Sequence, residues 1–128
     1  MNHFGRLLEM NFKILEIGKV EYHLIIQQKH LATTQVAHGG VIAALTDAAL
    51  GVAALSVVAA DNKLVATIEF KINYLLPAYI NDKLTAVAQV INKGKRTLVA
   101  ECKIFNSDNK LISTATGTFT SYSIDKIK

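Results

Sequence analysis

Between Ala37 and Ser56 the chain reads AHGGVIAALTDAALGVAALS, a stretch in which Asp47 is the one charged residue in otherwise almost wholly apolar surroundings. Its alanine and leucine content predicts a helix from about Gly39 or Gly40 to Val58. At the start of that helix Gly39-Gly40 exposes backbone N–H groups that the first turn cannot satisfy internally. Such a length would span a bilayer, but Asp47 would cost ~2.5–3.5 kcal/mol inside one. The residues are small rather than rich in Leu and Ile, and the flanking segments alternate as strands. Alanine and glycine permit close approach, so the composition suits a helix enclosed by a curved sheet, apolar on almost every face. A carboxylate removed from water without a partner is costly, and Asp47 is therefore the first candidate for chemistry.

The flanking segments supply the sheet. Strands are expected at Phe12 to Ile17 and Val20 to Ile26, joined by a turn at Gly18-Lys19 into a hairpin, after a short helix within Met1 to Met10. From Leu64 to Tyr74 the pattern has a period of two: Leu64, Ala66, Ile68, Phe70, Ile72 and Tyr74 are expected on one face, and Thr67, Glu69, Lys71 and Asn73 on the other. Leu84 to Ile91 and Leu98 to Phe105 flank the turn Asn92–Arg96. Leu111 to Ser121 follows the turn signal Asn106-Ser107-Asp108-Asn109. Successive antiparallel strands need only such short connections. With 128 residues, no internal repeat and a single proline, Pro77, lying between strand-like runs, residues 1–128 read as one domain of the α+β class.

Composition narrows the function. A 51% hydrophobic chain with 19% charged residues buries a core. One cysteine, Cys102, excludes an internal disulfide framework and reads as a packed strand residue. With no charged leader and small-residue cleavage site at its start, the chain is expected in the cytoplasm. The net charge of +4 favours an anionic ligand. Nucleic acid is a poor fit, because Lys93, Lys95 and Arg96 form only a short cluster and the aromatic residues are not interleaved with basic ones. His3, His23 and His30 have no ligand spacing with one another or with acids, so no metal site is expected.

One helix against an antiparallel sheet, with His38-Gly39-Gly40 at its mouth, Leu45 and Asp47 in an HGG-x6-D arrangement, then Gly51, Thr67-Ile68-Glu69-Phe70 and Asn73-Tyr74-Leu75-Leu76-Pro77-Ala78, resembles the hotdog-fold acyl-CoA thioesterases of the PaaI-like (phenylacetate-type) branch. The resemblance runs over most of the chain. It implies a thioester hydrolase acting on an acyl- or aryl-CoA, with no cofactor beyond the CoA of the substrate. It assigns Asp47 as nucleophile or general base and the Gly39 N–H as the donor to the thioester oxygen. Gly40 keeps the approach open, His38 shapes the loop or serves as general acid, and Thr67 supplies a hydroxyl near the thioester across a dimer. Lys93, Gly94, Lys95 and Arg96 correspond to the basic turn that lies near the CoA phosphates. Relatives commonly carry Asn or Gln six residues before the histidine and Gly three before it, where this chain has Ala32 and Gln35; the Gln35 amide is the candidate replacement for the orienting group.

The chemistry accounts for these residue types. A helix N-terminus polarises a carbonyl with no side chain in the way, and a carboxylate either attacks it or takes a proton from water. Gly39 and Asp47 are eight positions apart, roughly 12 Å along one helix at ~1.5 Å per residue. They cannot reach the same carbonyl within one chain. Two antiparallel helices about a two-fold axis would bring Gly39 of one subunit to Asp47 of the other, and the resemblance likewise implies a dimer, often paired into a tetramer. Two alternatives remain open at this level: a hotdog dehydratase or hydratase acting on 3-hydroxyacyl or enoyl thioesters, and an acyl-CoA binding protein without turnover.

Overall fold

The computed structural model describes residues 2–126. A short helix α1 (His3–Leu8), started by an Asn2 side-chain cap, precedes strands β1 (Asn11–Glu16) and β2 (Lys19–Ile25). The long helix α2 (Gly39–Val58) follows, and then β3 (Lys63–Tyr74), β4 (Lys83–Lys93), β5 (Thr97–Phe105) and β6 (Leu111–Ser123). All six strands form one antiparallel sheet in the order β1-β2-β4-β5-β6-β3.

The hairpin and the β4–β5–β6 meander stand where the sequence pattern puts them. The place of β3 does not follow from proximity in the chain. It pairs with β6 at the far edge, and residues 75–82 carry the chain back across to β4.

Helix α2 lies across the sheet and touches every strand. Val41, Ile42, Leu45, Ala49, Leu50, Ala53, Ala54 and Val58 are buried against Val20, Leu24, Leu84, Ala86, Ala88, Leu98, Ala100 and Phe119. Alanines on both sides let helix and sheet approach closely, and Gly117 of β6 completes the fit. A Cβ there would stand 2.9 Å from Leu50 Cδ1 and 3.0 Å from Phe70 Cβ. The helix is long and apolar enough to cross a membrane by length and composition, yet this face of it is taken up by the sheet.

One expectation is corrected. Thr67 stands opposite Phe119 and Glu69 opposite Thr118, so Ile68 is an extra residue without a partner on β6, a β-bulge. The period of two is thereby interrupted, and each side of the bulge obeys a different parity. Before it, Val65 and Thr67 face α2; after it, Phe70, Ile72 and Tyr74 do, while Ile68 itself is 55% exposed. The sequence pattern had assigned Thr67 and Tyr74 to opposite faces.

Candidate active site

The site is built around the start of α2. His38 is the N-cap residue, and its ring Nδ1 accepts a hydrogen bond from the Gly40 N–H at 2.7 Å, which places the ring proton on Nε2. The neighbouring donors are also taken. Ala37 N–H donates to Ala78 O and His38 N–H to His30 O, both at 2.8 Å, and Val41 N–H donates to His38 O at 3.0 Å. Among the described residues the Gly39 N–H meets no acceptor. It is the open donor at the positive end of a twenty-residue helix.

Beside it runs an apolar groove of about 290 Å³, lined by Ala37, Gly39, Ile42 and the Tyr74–Ala78 segment. Tyr74 O–H donates to Gly39 O at 2.8 Å, and its ring lies 3.6 Å from where a Cβ on Gly39 would be.

Two turns further along, Asp47 is half-buried, and its Oδ1 accepts a hydrogen bond from the Thr67 hydroxyl at 2.8 Å. This is the partner that the apolar stretch itself did not disclose. Within one chain Thr67 therefore serves Asp47 directly. Gly39 and Asp47 stay roughly 12 Å apart along the helix, as eight residues at ~1.5 Å per residue require.

The remaining candidates fall into separate groups. Ala32 and Gln35 lie exposed on the loop before the helix; the Gln35 carbonyl accepts from Ile80 N–H at 2.8 Å, while its side-chain amide has no partner among the described residues. Lys93, Gly94 and Lys95 line an open basin of about 570 Å³ together with Lys63, and Arg96 lies just outside that lining. Lys93 Nζ is 4.0 Å from Asp61. Cys102 is buried, and burial pushes its thiol up to about 12, which suits a packed residue and leaves it without thiolate character near neutrality. His30 is buried with both ring nitrogens engaged, by the Gln27 N–H and by Leu8 O.

Two residues of the site carried no assigned role in the sequence. Tyr74 appeared there only as part of a strand motif, and Lys63, just before the expected strand, was not singled out. A polar aromatic at the end of a strand's apolar face is a usable signal, but its partner Gly39 lies 35 residues away and only the fold brings the two together.

The comparisons with known proteins bear on the family and the fold. The thioesterase superfamily model matches residues 34–113. A candidate esterase of Archaeoglobus fulgidus is 36% identical over 111 residues, covering 85% of this chain and 70% of that protein. The acyl-coenzyme A thioesterase PaaI of Escherichia coli K12 is 37% identical over 79 residues, 62% of this chain and 54% of that protein. The PaaI structure superposes with a TM-score of 0.88 over 95% of this chain and 86% of that one, at 24% identity across the larger alignment. A Streptococcus mutans protein whose structure was solved with acetyl-CoA bound superposes at a TM-score of 0.81, with 24% identity and 89% of each chain covered. The one long helix, the six-stranded antiparallel sheet and the matched family model lead to one conclusion: the chain belongs to the thioesterase superfamily, as a hotdog-fold thioester hydrolase.

Proposed function

We propose that the chain hydrolyses an acyl- or aryl-CoA thioester to the free acid and CoA, in a site completed by a second copy of itself. The observation that carries this reading is the unclaimed Gly39 N–H at the mouth of α2, on the same helix as a half-buried carboxylate. The Gly39 N–H polarises the thioester carbonyl and stabilises the oxyanion as it forms. Asp47, held by the Thr67 hydroxyl, either attacks the carbonyl carbon or takes a proton from the attacking water. Collapse of the tetrahedral species breaks the C–S bond and releases CoA as its thiolate, which then takes up a proton; on the route in which Asp47 attacks, water next cleaves the mixed anhydride left on Asp47 to give the free acid and restore the carboxylate.

The second copy is argued from three features. Gly39 and Asp47 of one chain are too far apart to act on one carbonyl. The side of α2 that turns away from the core, with Ala43, Ala44 and Leu55 partly exposed around Asp47, is largely apolar, and a helix apolar on most of its faces calls for cover on more than one side. Finally, β3 is an edge strand with unpaired backbone groups and with Ile68, Tyr74, Leu75 and Leu76 exposed on or just beyond it.

The contacts within one chain also support an arrangement for the second copy. Gly39 meets Tyr74 and Asp47 meets Thr67, so α2 and β3 run side by side in opposite directions. An antiparallel pairing of β3 with its copy about a two-fold axis near Phe70 and Lys71 would bring the Thr67 end of one strand beside the Tyr74 end of the other. The same axis then passes Ala43 of α2, midway between Gly39 and Asp47, where a small residue permits close approach. Such packing would dry Asp47 and deliver the partner's Gly39 N–H to it.

The Lys63, Lys93 and Lys95 basin, with Arg96 beside it, suits the phosphates of CoA. The Gln35 amide, exposed on the loop before α2, is placed to orient substrate or water only if that loop contacts the bound thioester.

The test is thiol release from a panel of acyl- and aryl-CoA substrates by the wild type and Asp47→Asn. The variant keeps size and most hydrogen-bonding capacity, so kcat should fall by about 10²-fold or more with the fold retained. Near-normal turnover by folded Asp47→Asn would end the catalytic reading, and binding of acyl-CoA by the wild type without thiol release would make the protein a carrier.

A further inference from the structure

The Gly39–Gly40 peptide group is gripped from both sides. Its carbonyl accepts from Tyr74 O–H at 2.8 Å, and its N–H donates to His38 Nδ1 at 2.7 Å. Two adjacent glycines are the least constrained way to begin a helix, yet the Gly39 N–H must point in a fixed direction if it is to meet an oxyanion. Restraint from outside the glycines is therefore needed. His38 supplies it from the chain itself, and Tyr74 supplies it from the end of β3.

We propose that Tyr74 is a positioning residue, whose hydroxyl locks the Gly39–Gly40 peptide so that the neighbouring Gly39 N–H stays aimed at the thioester oxygen. The inference rests on the hydrolytic reading above. Three observations carry it. Tyr74 shares its face of β3 with Phe70 and Ile72, which pack toward α2, and so stands over the helix start. Its ring packs beside Gly39, in ordinary contact at 3.6 Å from a Cβ position there, so the aromatic ring as well as the hydroxyl borders the helix start. The residue is 52% exposed and stands outside the packed core, so its hydroxyl has no other described partner to serve. The two hydrogen bonds also run in series, from the Tyr74 hydroxyl through the peptide to the His38 ring, and bonds in such a chain polarise and strengthen one another.

The experiment compares wild type and Tyr74→Phe by steady-state thiol release from acyl-CoA, together with amide hydrogen exchange of Gly39 and Gly40 followed by NMR on the ¹⁵N-labelled full chain. Removing one hydrogen bond to the peptide that follows the oxyanion donor should lower kcat roughly 3- to 10-fold. KM should change less than the rate, the melting temperature should stay close to wild type, and exchange at Gly40 should accelerate. A Tyr74→Phe enzyme with wild-type kcat overturns the proposal while leaving the hydrolytic reading intact. A fall in kcat with unchanged Gly40 exchange also overturns it, because the hydroxyl would then be acting on the substrate itself. Absence of turnover by the wild type across the acyl-CoA panel removes the hydrolytic reading and this role together.

Discussion

Gly117 on β6 faces α2 at the seam where helix, bulge and edge strand meet, and replacing it by alanine is a direct test of that packing. The added Cβ would stand 2.9 Å from Leu50 Cδ1, 3.0 Å from Phe70 Cβ and 3.3 Å from Glu69 O. Leu50 can swing its terminal methyl, but a Cβ and a backbone carbonyl move only with the strand. Overpacking of this kind costs ~1–3 kcal/mol. For a domain of this size, ~2 kcal/mol lowers the melting temperature by roughly 6–10 °C. The control is Gly51→Ala within α2, where the new Cβ meets the Phe119 ring at an ordinary 3.5 Å. There a helix-interior glycine is relieved, worth up to about 1 kcal/mol, and the melting temperature should rise. Both are read by calorimetric or circular-dichroism melts at one protein concentration, since assembly makes the midpoint concentration-dependent. Shifts of the same sign for the two variants, or no loss for Gly117→Ala, would refute the view that close approach of α2 to the β3–β6 edge depends on a missing side chain at 117.

Two further outcomes are expected. Changing Lys63 and Lys95 together to alanine should raise KM for acyl-CoA by roughly 5-fold with little effect on kcat, and the difference should shrink as salt screens the exposed charges; unchanged KM at low salt would separate the basin from CoA binding. Lys71→Cys places a thiol beside the proposed two-fold axis, so a short bis-maleimide should join two copies in solution while buried Cys102 stays silent; cross-linking instead through Lys13→Cys on the opposite edge strand β1 would overturn the β3 register.

Much of the site was legible because its carriers are local. A run of alanine and leucine bounded by Gly39-Gly40 reads as a helix at any position in any chain, and Asp47 draws notice there because a charge among apolar residues needs a reason. The helix was found at Gly39–Val58, within the expected limits, and the strands began and ended within a few residues of theirs. The roles of Tyr74 and Lys63 were not legible. Each depends on neighbours far away in the chain: Tyr74 meets Gly39 across 35 residues, and Lys63 joins the turn at Lys93–Lys95 to line one basin.

The sequence by itself determined which segments are helix and strand, because periodicity, propensity and turn residues act over a few positions. It also marked Asp47 and the glycine pair, because their chemistry conflicts with or exceeds what packing alone demands. Only the tertiary structure decided which way β3 faces. Ile68 is apolar and continues the alternation without a visible break, so nothing local announces the bulge; it arises from how β3 registers against β6. That single extra residue puts Thr67 on the α2 side of β3 together with Tyr74, one to hold the carboxylate and the other to hold the helix start. A shift of one residue reverses a strand's faces, and the partner strand, formed some fifty residues later in the chain, sets that shift.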